Sequence, residues 1–270
     1  MSNIAYSYCE LPTFIRKPIW RILHRIISSK DAAKEIVFMN YGYAYGNGSG
    51  GAVQLKECDE EDRYCLQLYD LVGGREEHLT GKNVLEIGCG RGGGASYLTR
   101  YFSPSAYLGV DISKNVIDFC KRVHRNDKLQ FQRGEAEDVP VQDSSVDSIV
   151  NVESSRCYRN KNAFFAEVSR VLKPGGTLLF ADMRQPHEID ELEEQFASNS
   201  LEIKEKEDIT PGVVRALEKD HSRRISMIQR LTPFYLRRAV PDFAGVKESK
   251  RYNSFASGSM LYLRYLVQKR

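Results

Sequence analysis

Glu86 stands two residues before the first glycine of Gly88-Cys89-Gly90-Arg91-Gly92-Gly93-Gly94, and Asp111 follows roughly twenty residues on. Glycines at such spacing let the backbone turn sharply and let a ligand approach main-chain N–H groups. Gly88, Gly90 and Gly93 satisfy the G-x-G-x-x-G spacing of a dinucleotide loop, and Asp111 falls where a ribose-binding acid would. Glu86 changes that reading. A carboxylate beside a pyrophosphate is repelled, whereas one facing an ammonium group is attracted. The pattern favours a nucleoside ligand with a cationic amino-acid end, which S-adenosylmethionine (SAM) is. For the loop by itself, a tight turn with a solvated acid is the plainer alternative.

Composition narrows the field. The chain has 270 residues, 41% hydrophobic and 28% charged, with a net charge of +3. This suits one large α/β domain with an insertion, or two small ones, and the charge is too small to argue for nucleic acid. No apolar run is long enough to span a bilayer, and no signal peptide is evident, so a cytoplasmic protein is expected. The six cysteines are scattered without a C-x-x-C pair, which suggests neither a zinc site nor a disulfide framework. No catalytic metal is expected, because Asp143 and Asp147 lie near the start of a strand, at the wrong end of a sheet.

The elements that must position these residues can be read from periodicity. Strands are predicted at 83–88, 106–111, 129–133, 147–152 and 176–182, and helices at 58–74, 92–102, 114–124 and 160–172. This alternation predicts a mostly parallel sheet with helical crossovers. Lys173-Pro174-Gly175-Gly176 ends the helix after Leu172 and leads into the fifth strand. Residues 184–240 read as a charged helical lid insertion over the carboxyl edge of the sheet. Met260–Val267 reads as a last strand in a terminal hairpin, antiparallel to the rest. Residues 1–57 read as a helical N-terminal extension and flap, with the remainder forming the main domain. Within the extension, Ile19, Trp20, Ile22, Leu23, Ile26 and Ile27 form an apolar stripe opposite Arg21, His24 and Arg25. That stripe packs on its own domain or, through residues 14–27, lies on an anionic membrane surface. The Tyr- and Gly-rich stretch 40–51 reads as a surface linker or as a flap over the ligand.

Several motifs stand in a fixed order: Glu86-Ile-Gly-Cys-Gly, Gly109-Val-Asp111-Ile-Ser, Gly134-Glu-Ala-Glu137-Asp-Val-Pro140, Asn151-Val-Glu153 and Leu172-Lys-Pro-Gly-Gly176. Together they resemble the class I SAM-dependent methyltransferases over roughly residues 80–183. Glu35-Ile-Val-Phe-Met-Asn40, Gly92-Gly-Gly-Ala-Ser-Tyr-Leu-Thr-Arg100, Asn151-Val-Glu153-Ser and Ala181-Asp182-Met-Arg184 look more narrowly like the mycobacterial phthiotriolone ketone methyltransferases, which O-methylate a long-chain lipid intermediate. Sterol C-methyltransferases resemble it more distantly. The resemblance implies a Rossmann-like α/β fold with seven strands, the last antiparallel. It also implies SAM as cofactor and a hydrophobic or amphipathic small molecule as acceptor, with O-methylation favoured over C-methylation.

Within that frame each residue has an expected place. Gly88 and Gly90 face the methionine part of SAM, with Glu86 supporting it from below. Asp111 accepts from the ribose hydroxyls, and Ile112 stacks on adenine. Ala136 and Glu135 meet the adenine edge, although relatives usually carry Asp at the latter position. Asn151 ends the fourth strand near the sulfonium, and Tyr41 or Tyr43 covers the cofactor from the flap. Many relatives have a histidine in a pattern like N-V-E-x-S-H, where this chain has Arg156. Arginine cannot act as a base at neutral pH, but it can hold an anionic or carbonyl group of the substrate. Glu153 then leads as the catalytic base, with His187 as an alternative and Tyr158 orienting the acceptor. The other histidines, including His78, His124 and His221, fit surface helix positions. Ile225, Met227, Ile228, Leu231, Phe234, Tyr235 and Leu236 line a pocket or form the core of the lid. A SAM-binding protein without catalysis is the remaining alternative.

Overall fold

The computed structural model describes residues 36–46, 53–231 and 240–270. The basic amphipathic stretch at 14–27 and the trio Phe234, Tyr235 and Leu236 lie outside them. A short 3-10 turn, Glu57–Asp62, leads into α1 (Arg63–Gly73) and α2 (Glu76–Leu79). Then follow β1 (Asn83–Ile87), α3 (Gly93–Phe102), β2 (Ala106–Asp111), α4 (Lys114–Val123), β3 (Leu129–Arg133) and β4 (Val146–Val152). After them come α5 (Lys161–Val171), β5 (Leu172–Arg184), α6 (Ile189–Ser198) and β6 (Leu201–Asp208). The chain continues through α7 (Thr210–Lys219), α8 (His221–Leu231), α9 (Val240–Phe243) and α10 (Lys250–Ala256) to β7 (Leu261–Lys269).

The seven strands form one sheet in the order β3-β2-β1-β4-β5-β7-β6. Strands β1 to β5 are mutually parallel, and β7 runs antiparallel to both its neighbours. Successive strand residues point to opposite faces, so central strands covered on both sides are apolar at most positions. Leu85, Ile87, Leu178 and Phe180 pack into one core with Phe164, Phe165 and Phe196. Val84, Leu179 and Ala181 pack into the other with Leu66, Leu68, Tyr97 and Leu98. The order reverses at β1, whose neighbours are β2 on one side and β4 on the other. Ligands of open α/β sheets bind outside the strand ends at such a point.

The structure departs from the sequence reading in three places. Residues 172–176 already belong to β5: Val146 pairs with Leu172 and Ser148 with Thr177, so Lys173–Gly176 bulge out of the ladder. Proline lacks the N–H a regular ladder needs, and Gly175 takes a φ of +76°, which a bulge accommodates. Second, residues 184–240 are not wholly helical, because β6 lies within them. Leu201 and Ile203 alternate with Glu202 and Lys204, and one face of this edge strand is charged. Third, the last strand closes no tight hairpin. It inserts between β5 and β6, and its β6 partner lies across the whole α7–α10 segment. No helix among the described residues is long and apolar enough to cross a membrane.

Phe196 sits at the centre of an aromatic cluster, with ring centroids 4.8 Å from Phe165, 5.7 Å from Phe180 and 5.4 Å from Tyr265. Phe196→Ala is expected to cost about 3–5 kcal/mol. Urea denaturation should show the midpoint falling with little change in slope.

Candidate active site

Where β1 meets the glycine loop, the chain opens a cleft of about 810 Å³. Gly88 and Gly90 have φ of +77° and +50°, a region that side-chain-bearing residues rarely adopt. A Cβ on Gly88 would lie 2.6 Å from the Ser154 side chain and 2.8 Å from the Tyr158 hydroxyl. A Cβ on Gly90 would meet only Met39, at 3.7 Å, so this residue presents bare backbone to the cavity. Behind the loop, His124 Nε2 donates to the Arg91 carbonyl, 2.7 Å away, and its ring packs on Phe131. His124 is therefore half-buried support for the loop, not the surface residue its helix position suggested.

Glu86 is fully buried beneath the loop, and each carboxylate oxygen accepts one tyrosine hydroxyl at 2.8 Å: Tyr69 from α1 and Tyr107 from β2. Burial pushes this carboxyl up to about 7, opposed by the two hydroxyls and aided by repulsion from Asp111. Asp111 ends β2 in the cleft. Its Oδ2 accepts from the Gly90 N–H at 3.1 Å and its Oδ1 from the Ser113 N–H at 2.9 Å. Burial raises it, and those two donors oppose the rise. Ile112, 52% exposed and the exposed large apolar side chain among the described residues, lines the same cleft with Glu135 and Ala136.

The roof is the strap 36–46. Val37, Phe38, Met39, Asn40 and Tyr41 all line the cavity. The glycine loop grips the strap directly, since the Gly93 N–H donates to the Val37 carbonyl and Arg91 Nε to that of Ile36. Opposite stands Glu153, just past β4 and at φ +53°. Its Oε1 accepts from the Tyr41 N–H at 2.7 Å and the Tyr262 hydroxyl at 2.9 Å. Burial drives the Glu153 carboxyl up to about 8, with those two donors opposing and Asp182 adding to the rise.

The structure thus brings Gly88, Gly90, Asp111, Ile112, Glu135, Ala136, Tyr41, Glu153 and Tyr158 to one cleft, while Glu86 lies beneath the loop, does not line the cleft and has both oxygens held by tyrosines. Other expected residues lie elsewhere. Tyr43 packs its ring where a Cβ on Gly212 would lie, facing α7 and away from the cleft. Asn151 is buried under the loop, its amide donating to the Ile87 carbonyl at 2.8 Å and reaching the Ser154 and Tyr158 hydroxyls. Arg156 does not line the cleft; its guanidinium turns to the Met260 sulfur, 2.9 Å away. His187 is exposed on a 3-10 turn beyond β5 and also lies outside the cleft. No described residue of the 189–260 segment lines the cavity, so its helices brace the strap from behind. Tyr69, Tyr107, Tyr262 and His124 carried no sequence signal of these roles, because each acts through a tertiary contact.

The cleft fits SAM on its own features. The glycine loop offers backbone where a Cβ would intrude, and Asp111 and Glu135 offer acceptors further along. Asn151 Oδ1 is a buried acceptor under the loop with no partner among the described residues, and Asn151 itself does not line the cleft. A ligand with an ammonium end and ribose hydroxyls matches that donor and acceptor set.

A fold that binds its ligand at the β1–β4 switch, over a glycine loop with an acid beneath it, defines the class of SAM-dependent methyltransferases. The family model described as a methyltransferase domain matches residues 85–180. The phthiotriol/phenolphthiotriol dimycocerosates methyltransferase of Mycobacterium leprae is 35% identical, covering 95% of this chain and 94% of that protein. The fatty-acid O-methyltransferase of Mycolicibacterium smegmatis is 36% identical, over 92% of this chain and 89% of its own length. The geranyl diphosphate C-methyltransferase of Streptomyces coelicolor A3(2) shares the fold, with a TM-score of 0.64 at 17% identity and full coverage of both chains. The chain belongs to this methyltransferase family and is a SAM-dependent methyltransferase.

Glu86 also makes stability depend on pH. Its folded value of about 7 lies above the ordinary 4.5, so the folded protein holds the proton more tightly. That contribution is full at low pH and is lost as pH rises through about 7, with a span of roughly 3 kcal/mol. Glu86→Gln removes the dependence. Urea midpoints measured between pH 5 and 8 should fall less steeply for the variant than for the wild type.

Proposed function

We propose that this methyltransferase transfers the methyl group of SAM to an oxygen of a hydrophobic, lipid-like small molecule. The observation that carries the reading is Glu153, a buried carboxyl held in a cleft walled by Val37, Phe38, Met39, Val152 and Met183. Long apolar acceptors bury surface there at about 25 cal/mol per Å². The relatives from Mycobacterium leprae and Mycolicibacterium smegmatis, named as a phthiotriol/phenolphthiotriol dimycocerosates methyltransferase and a fatty-acid O-methyltransferase, support the same acceptor class.

When bound, SAM supplies an electrophilic methyl on a positively charged sulfur. The residues proposed to hold it are Gly88 and Gly90 through their backbone, Asp111 at the ribose, and Ile112, Glu135 and Ala136 around the adenine. The strap excludes water over them, and Asn151 and Tyr158 shape the floor. Glu153, in its ionised form, takes the proton of a hydroxyl acceptor at the carboxylate oxygen not held by Tyr41 and Tyr262. Positioning supplies most of the rate enhancement. A carboxylic-acid acceptor arrives already ionised at neutral pH and places no such demand on Glu153.

The test is transfer of a CD₃ group from labelled SAM to panels of long-chain alcohols, phenols and fatty acids, read by mass spectrometry. Asp111→Ala is expected to lose cofactor binding by calorimetry. For a hydroxyl acceptor, Glu153→Gln should lower kcat by about 10²–10⁴-fold. The wild-type kcat/KM should then fall as pH drops below about 8, because Glu153 must be ionised to accept the proton. Label on carbon, or on no small molecule at all, would overturn the reading.

A further inference from the structure

The Asn40–Tyr41 peptide of the strap is held from both sides. Glu153 takes the Tyr41 N–H, and Arg224 of α8 takes the two carbonyls, donating from Nη2 to Asn40 at 3.2 Å and to Tyr41 at 3.0 Å. The same guanidinium donates from Nη1 to the Ala244 carbonyl at 2.9 Å and from Nε to Asp220 Oδ2 at 2.9 Å. Its side chain is only 10% exposed, and Asp220 is 3% exposed. A planar fork of fixed N–H donors suits this arrangement of one carboxylate and three carbonyls, and a lysine ammonium cannot reproduce it.

We propose that Arg224 is a positioning residue for methyl transfer: it staples the strap over the cleft and thereby sets the Tyr41 N–H that holds Glu153. This rests on the reading of Glu153 given above. Three elements distant in sequence meet at that guanidinium: the strap, α8 and the segment after α9. Among the described residues none of them lines the cleft except the strap, so the effect of Arg224 there runs through residues 40 and 41 and through its charge. The groups facing Glu153 are the Tyr41 N–H, the Tyr262 hydroxyl from β7, Asp182 from β5, Tyr69 from α1 and, at longer range, Arg224. Of these, Arg224 supplies the cationic charge and Asp182 the opposing one.

Arg223 provides an internal control. It binds the same Asp220, at 2.6 Å, but reaches Asp62 at 2.9 Å instead of the strap. Arg224→Gln, Arg224→Lys and Arg223→Gln should be compared by hydrogen exchange with S-adenosylhomocysteine bound, and by pH–rate profiles on the acceptor found above. Arg224→Gln is expected to speed exchange in residues 37–44 tenfold or more, to lower kcat more than it raises KM, and to move the acid limb to higher pH. Arg224→Lys keeps the charge without the fork, so it should restore the limb while strap exchange stays fast. Arg223→Gln should leave both near wild type. Strap exchange in Arg224→Gln equal to wild type, or matched by Arg223→Gln, overturns the proposal. Glu153→Gln separates this from the reading it rests on. Its amide oxygen still accepts from Tyr41, so full activity there removes Glu153 from the chemistry while the exchange comparison still decides whether Arg224 staples the strap.

Discussion

Glu86 between Tyr69 and Tyr107 is the contact on which the site is built. A carboxylate out of water is costly without partners, and here two neutral hydroxyls provide them instead of a cation. Meeting that demand fixes α1 against β1 and β2. It also fixes α3, because a Cβ on Gly94 would lie 2.0 Å from the Tyr69 ring, so only glycine lets the helix approach. Phe38 of the strap then packs against the other side of Tyr69, with centroids 6.1 Å apart. One buried acid thus aligns the floor, the glycine loop and the roof of the cleft.

Much of the sheet was legible because a strand covered on both faces is apolar throughout and is bounded by glycine and proline. β1, β2 and β4 carry much of that signature, β3 (Leu-Gln-Phe-Gln-Arg) alternates as an edge strand does, and the predicted bounds of all four match to within a residue. β6 does not carry it. Leu-Glu-Ile-Lys-Glu-Lys-Glu-Asp looks like a solvated helix because its strand character comes from pairing with β7, about sixty residues away in sequence. The order of the last two strands was hidden for the same reason: nothing local says that a strand will insert between two earlier ones.

The site divides along a similar line. Residues at strand ends were readable, because the fold puts the ends of β1, β2 and β4 at one place and the motifs mark them. Residues on the loops beyond were not. His187 and Arg156 follow strand ends closely in sequence, yet the 3-10 turns at Ser155–Cys157 and Pro186–Glu188 take them out of the cleft. Tyr43 lies two residues from Tyr41, a spacing that regular extended chain would place on one side, but Gly42 between them takes a φ of +81° and turns the strap. Arg224 could not be found from sequence, since its task is defined by carbonyls that any residue could supply.

β7 follows six other strands in the chain but lies between two of them in the sheet. During synthesis, β5 and β6 are therefore made with facing edges that have no partner until residues 261–269 emerge. Exposed strand edges invite pairing with other chains. The nascent protein must hold an open seam through the making of the whole α7–α10 segment. The charged side chains along β6 make that edge a poor template for foreign strands during the interval.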